Sequence, residues 1–175
     1  VAVTGPRQSG KTTLARAVFP DKAYVSLEDL DTREFAKSDP RGFLETYPKG
    51  AILDEVQRAP DLFSYLQTAV DKVRKSGQFI LTGSQQFLMM ERLSQTLAGR
   101  VRILHLMPFS HAELTSAGNR IDLYEYVYKG SYPRLYDKKI PPVDWYPDYL
   151  HTYVERDVRM IKNIEDLAAF QRFLK

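Results

Sequence analysis

Eight residues near the start of the chain, Gly5-Pro6-Arg7-Gln8-Ser9-Gly10-Lys11-Thr12, follow the spacing G-x-x-x-x-G-K-[ST]. This is the pattern of a phosphate-binding loop. Glycine at both ends permits unusual backbone angles and close approach to a ligand. The backbone N–H groups from about Gln8 to Thr13 can wrap a β-phosphate at the positive end of the following helix. Lys11 offers a point charge to the β- and γ-phosphates, and the Thr12 hydroxyl can ligate Mg²⁺. A second grouping is Asp54-Glu55, which closes the apolar run Ala51-Ile52-Leu53. On a strand beside a phosphate loop, Asp54 would hold Mg²⁺ through water and Glu55 would be the base that activates the attacking water. A polar side chain ending the next strand would face the γ-phosphate. Ser84 is the candidate, with Thr82 as the alternative, and Ser84 is equally suited to cap the helix after it. Arg100 stands at a helix–strand junction. There it could serve as an arginine finger, neutralising charge on the transferring phosphoryl group; an isolated arginine is also suited to a surface ion pair.

These residues need elements that bring them together. Val1-Ala2-Val3, ending at Thr4, is a short strand that feeds the loop, and Thr12 to Phe19 is a helix with Leu14, Ala17 and Val18 on one side. Ala23–Leu27 alternates as a second strand, and 29–38 is helix-compatible. Asp39-Pro40 opens a helix to about Tyr47, with Asp39 as its cap. The third strand is 51–55. Pro60-Asp61 opens a helix to about Lys75, on which Leu62, Phe63, Leu66, Ala69, Val70 and Val73 keep helical spacing. Strand 78–82, helix 85–98 and strand 101–106 follow. Strands alternating with helices predict a parallel, helix-covered sheet with right-handed crossovers, its ligand lying beyond the carboxyl ends of the strands.

The rest is read as helical. Pro108-Phe109-Ser110 begins one helix, Ile121 to Lys129 forms another, and Gly130-Ser131-Tyr132-Pro133 is a turn. From about Val143 a helix places Tyr146, Tyr149, Leu150, Tyr153, Val154, Val158 and Ile161 on one face. Many of the chain's 11 tyrosines fall here, which favours a packing surface, with stacking on single-stranded nucleic acid as the other use.

Composition narrows the class. At 175 residues, 43% hydrophobic and 27% charged, the chain fits one globular domain with a small appendage. It has no cysteine, which excludes disulfides and thiolate metal sites and suits a reducing cytoplasm. The net charge of +3 allows a nucleic-acid partner without indicating one. His105, His111 and His151 are too scattered for a metal site. No apolar run is long enough to span a membrane. Both ends fall inside elements, so a fragment of a longer protein is expected.

With these pieces placed, Gly-Pro-Arg-Gln-Ser-Gly-Lys-Thr-Thr-Leu at 5–14, Leu-Asp-Glu-Val-Gln-Arg at 53–58 and Leu-Thr-Gly-Ser at 81–84 resemble prokaryotic AAA+-type ATPases. The closer resemblance is to the group with an AAA_14-like ATPase domain followed by a DUF4143 region. Leu-Ala-Gly-Arg at 97–100, Pro-Phe-Ser at 108–110 and Tyr-Val-Glu-Arg-Asp-Val at 153–158 also fit it. The resemblance implies a P-loop NTPase core over 1–110, then a helical lid and the start of a truncated, winged-helix-like region over 111–175. It implies ATP and Mg²⁺ as ligands, with Lys11 and Thr12 matching Walker A and Asp54 and Glu55 matching Walker B. Ser84 matches a sensor-like position, and Arg100 matches an arginine finger that would act in trans within a homo-oligomer. The 130–133 turn is similar to a Gly-Gly-Tyr-Pro turn in which Ser131 replaces the second glycine. Mg²⁺-dependent ATP hydrolysis coupled to rearrangement of an attached or bound partner is the leading function. A nucleotide-gated switch with little turnover and a small-molecule phosphotransferase are the alternatives. The residues alone leave ATP and GTP open, although no guanine-reading Asn-Lys-x-Asp stretch is present.

Overall fold

The computed structural model of the chain describes residues 1–73, 76–84 and 95–156. Its strands are β1 (Ala2–Thr4), β2 (Ala23–Ser26), β3 (Ala51–Asp54), β4 (Ile80–Thr82) and β5 (Ile103–His105). They form one sheet in the order β2-β3-β4-β1-β5, and every adjacent pair is parallel. Position in that order explains the sequence of each strand. The three inner strands, β1, β3 and β4, are buried at every residue. Covered on both faces, they read as unbroken apolar runs rather than alternating ones. The edge strand β2 buries only Val25, and β5 buries none of its three residues.

Among the described residues, four helices flank the sheet: α1 (Lys11–Val18), α2 (Leu30–Ser38), α3 (Pro40–Glu45) and α4 (Leu62–Val73). Together, sheet and helices make the α/β architecture of the P-loop NTPase fold. The main core joins Val25, Leu53 and Leu81 of the sheet to Phe43 and Leu44 of α3 and to Leu62, Phe63 and Leu66 of α4. Complete burial of a side chain such as Phe43 contributes about 1.5–3 kcal/mol. A smaller cluster packs Ala15 of α1 on Ile52 and Ile80. Asp39 caps α3 as expected, accepting from Gly42 N at 2.9 Å ahead of Pro40. Two helices form as expected but bury only part of their apolar pattern. In α1 the buried positions are Lys11 and Ala15, while Leu14 and Val18 are 42% and 58% exposed. The loop turns Lys11 inward, and one turn later the small Ala15 lets the helix lie close to the sheet. In α4, Val73 is exposed at the end, past the buried turns. Most of the helix expected from Gln85 lies outside the described residues, as do Lys75, Val158 and Ile161.

The first compact unit is Val1–Pro108, and a second begins at Phe109. In the second, α5 (His111–Ser116) opens on a capping box, with Ser110 and Glu113 satisfying each other's backbone N–H. Then come α6 (Leu123–Lys129), α7 (Pro133–Asp137) and α8 (Pro142–Arg156). The turn before Pro133 therefore leads straight into a helix that the sequence pattern did not reveal. Trp145 is buried as the centre of an aromatic group, with Tyr132, Tyr146 and Tyr149 at ring-centroid distances of 4.9, 4.9 and 4.7 Å. Gly130 is left-handed at φ 75°, and a Cβ there would meet Tyr146 Oη at 1.7 Å. Ser131 is not at positive φ. Its carbonyl accepts from Phe109 N at 2.9 Å. The glycine requirement of the turn thus falls on Gly130, and serine fits at 131.

Candidate nucleotide site

The loop leaves β1 at Gly5, whose φ of 146° and missing Cβ are both required. A Cβ there would stand 2.1 Å from the Leu106 carbonyl oxygen. Pro6 and Arg7 are half-buried, Gln8 is exposed at φ 60°, and Ser9 is buried. Gly10, left-handed at φ 92°, is the N-cap of α1, and no side chain caps the helix. The first-turn N–H groups at Lys11, Thr12 and Thr13 therefore lack the side-chain acceptor that most helix starts carry. Lys11 is only 7% exposed, and its Nζ donates to the carbonyls of Gly5 at 3.1 Å and Pro6 at 2.6 Å. The buried Ser9 hydroxyl has no hydrogen-bond partner.

Asp54 ends β3, buried, and collects three hydroxyls. Thr12 Oγ1 donates to its two oxygens at 3.1 and 3.0 Å, Tyr24 Oη donates to Oδ2 at 2.7 Å, and Thr82 Oγ1 donates to Oδ1. Strand order produces this meeting. Ser26 pairs with Asp54 across β2 and β3, which leaves Tyr24 on the diagonal, and Thr82 pairs with Val3 on the inner strand between loop and carboxylate. Burial and the bond to Asp54 push the Tyr24 pKa up to about 12, so it remains a donor at any physiological pH. The Arg16 guanidinium lies over its ring, 5.0 Å from the centroid. Tyr24 was not anticipated from the sequence, since only the register of β2 on β3 reveals it.

Glu55 lies just beyond β3 in a left-handed conformation, φ 55°, ψ 43°, and opens the 3₁₀ turn Val56–Arg58. That backbone is disfavoured for a non-glycine residue and marks a site worth inspection. Burial and the neighbouring Asp54 charge raise the Glu55 carboxyl above the ordinary carboxylate range; a bond from Gln57 and the Arg7 charge act the other way. Gln57 Nε2 donates to Glu55 Oε2 and, at 3.3 Å, to Ser84 Oγ. The two side chains considered for the end of β4 are thus divided: Thr82 holds Asp54, and Ser84 sits with Gln57 and Glu55. Gln57 was also missed, although its position two residues after Glu55 on a tight turn could have flagged it.

Arg100 is placed elsewhere. It precedes β5, at the amino edge of the sheet, whereas the loop, Asp54, Glu55 and Ser84 lie at the carboxyl edge. There its guanidinium grips Asp71 of α4 bidentately, at 2.7 and 3.0 Å. It does not join the other site residues of its own chain.

A buried ammonium, an uncapped helix start and an unpartnered buried hydroxyl in one loop fit a polyanion. The Thr12 hydroxyl and Asp54 carboxylate beside them are hard oxygen ligands suited to Mg²⁺. A family model described as an AAA domain matches residues 1–115. The chain belongs to the AAA domain family. An AAA domain is a nucleotide-binding domain of the ATPase type, which agrees with the loop's fit to a polyanion. Where the resemblance led to a DUF4143 region, residues 120–175 instead match a domain of unknown function, DUF8612. Among curated proteins, the chain is similar to "Uncharacterized protein Mb2031c" of Mycobacterium bovis and "Uncharacterized protein Rv2008c" of Mycobacterium tuberculosis. Each is 31% identical over 167 residues, covering 92% of this chain and 36% of the relative. The chain thus spans about a third of the length of these relatives. No helix among the described residues is long and apolar enough to cross a membrane.

Proposed function

We propose that this AAA domain binds ATP with Mg²⁺ and hydrolyses the β–γ phosphoanhydride, coupling turnover to rearrangement of an attached or bound partner. The observation that carries the reading is the convergence, at one edge of the sheet, of a buried lysine in an uncapped loop with a buried Asp–Thr pair and a glutamate of raised pKa. Residues 5–13 hold the phosphates: the loop N–H groups and Lys11 answer their charge. Thr12 and Asp54 would hold Mg²⁺, which when bound supplies charge neutralisation at the phosphates. Glu55 takes the proton of the attacking water, a role its raised pKa brings closer to neutral pH. Thr82 and Tyr24 keep the Asp54 carboxylate oriented. Arg100, at the far edge, could reach only the nucleotide of a neighbouring copy, which requires an oligomer and release from Asp71.

The test is Mg-ATP binding and phosphate release by the full-length protein. Glu55→Gln is expected to bind ATP and lose about 10²–10⁴-fold in single-turnover rate. Unchanged turnover would remove the base assignment, and binding without release in the wild type would leave a nucleotide-gated switch. Specific activity is expected to rise with protein concentration and to vanish in Arg100→Ala with ATP binding retained. Concentration-independent turnover by a monomer would contradict the role in trans.

A further inference from the structure

The roles assigned above leave Gln57 unused, yet it is bonded to two residues at the carboxyl edge. Its Nε2 ties the end of β3 to the end of β4 through Glu55 and Ser84. Its Oε1 is buried with no hydrogen-bond partner. Leaving a buried acceptor unmatched costs about 1–3 kcal/mol, so such an atom calls for an explanation. The backbone puts it there: left-handed Glu55 turns the chain, and fully buried Val56 anchors the turn. Turning the amide over would set its carbonyl against the Glu55 carboxylate, acceptor against acceptor, so the donor side belongs toward Glu55.

We propose that Gln57 positions the attacking water, its Nε2 holding the Glu55 carboxylate while its Oε1 accepts one hydrogen bond from the water whose proton goes to Glu55. The proposal rests on the hydrolytic reading above. In the step, the water oxygen bonds to the γ-phosphorus, and the bond from that phosphorus to the β–γ bridging oxygen breaks with its electron pair leaving on ADP. The water's proton passes to Glu55 and then to solvent. Gln57 stays neutral throughout and exchanges no proton. Ser84 fixes the amide plane, so its part is to aim Gln57.

The experiment compares the full-length wild type with Lys11→Ala, Glu55→Gln, Gln57→Leu and Gln57→Glu, and with the Glu55→Gln/Gln57→Leu double variant. Single-turnover ATP hydrolysis is measured, with fluorescent-ATP binding in parallel. Gln57→Leu is expected to slow hydrolysis about 10²-fold with affinity within about threefold, and to add less than about threefold in the Glu55→Gln background, because the pair acts as a unit. Gln57→Glu keeps an oxygen acceptor but loses the N–H that holds Glu55, and is expected to slow hydrolysis at saturating ATP about 10²-fold. Wild-type or faster hydrolysis in Gln57→Leu, or losses that simply multiply with Glu55→Gln, would overturn the proposal. Should the leucine variant not fold, the near-isosteric Gln57→Glu decides, and wild-type hydrolysis in it at saturating ATP overturns the proposal. If the wild type binds ATP without hydrolysing it, the hydrolytic reading falls too. If Lys11→Ala and Glu55→Gln are slow while Gln57→Leu is not, this inference falls alone.

Discussion

Replacing Lys11 with methionine separates what the loop does for the fold from what it does for the ligand. The ammonium is 7% exposed and donates to the Gly5 and Pro6 carbonyls at 3.1 and 2.6 Å. Two hydrogen bonds from a charged donor contribute about 1.5–3 kcal/mol each, against a desolvation cost of several kcal/mol for the ion. The terms nearly cancel, so an apolar side chain of similar length should leave the nucleotide-free protein unchanged or more stable by up to about 2 kcal/mol. Nucleotide binding should move the opposite way. Loss of one charged partner for the phosphates, about 2.7 kcal/mol, is about 100-fold in Kd. Urea unfolding of the nucleotide-free full-length protein gives the first number, and titration with a fluorescent ATP analogue gives the second. A Lys11→Met protein destabilised by more than about 2 kcal/mol would refute the reasoning, because Lys11 would then be a structural strut rather than a charge held ready for an anion.

Three further outcomes are expected. Glu55 has its folded-state pKa raised, so it favours the native state below its unfolded pKa, and that contribution disappears as pH rises through the folded value. Glu55→Gln should therefore raise the melting temperature at pH 7.5 and confer no gain near pH 4, while wild-type hydrolysis should fall on acidification above the usual carboxylate range. Gly130→Ala should cost at least about 2 kcal/mol in denaturant unfolding, since φ 75° and the Tyr146 hydroxyl both oppose a Cβ, whereas Ser131→Gly should cost only about 0.5–1 kcal/mol through chain entropy. Asp71→Ala should leave the unfolding midpoint in place, because its pair with Arg100 is exposed, and should raise ATPase activity at low protein concentration by freeing Arg100 for a neighbour.

What the sequence determined by itself is local. The G-x-x-x-x-G-K-T spacing specifies a turn that only glycine can make at Gly5, followed by a helix start without a cap, because covalent geometry and peptide dipoles act within a few residues. The apolar run into Asp54-Glu55 marks a strand covered on both faces, and Asp39-Pro40 announces a cap that forms as written. Periodicity could not tell which side of α1 turns inward, since the loop, not the hydrophobic pattern, sets that helix's rotation. Strand order was likewise not encoded in any short window. Placing β4 between β1 and β3, and β2 beyond β3, brings Thr82 and Tyr24, 58 residues apart in the chain, onto one carboxylate. The same order joins Gln57 to Ser84 and sends Arg100 to the opposite edge. The loop's capacity to hold a phosphate is thus written in adjacent residues, while the arrangement around Asp54 and Glu55 exists only where parallel strands end side by side.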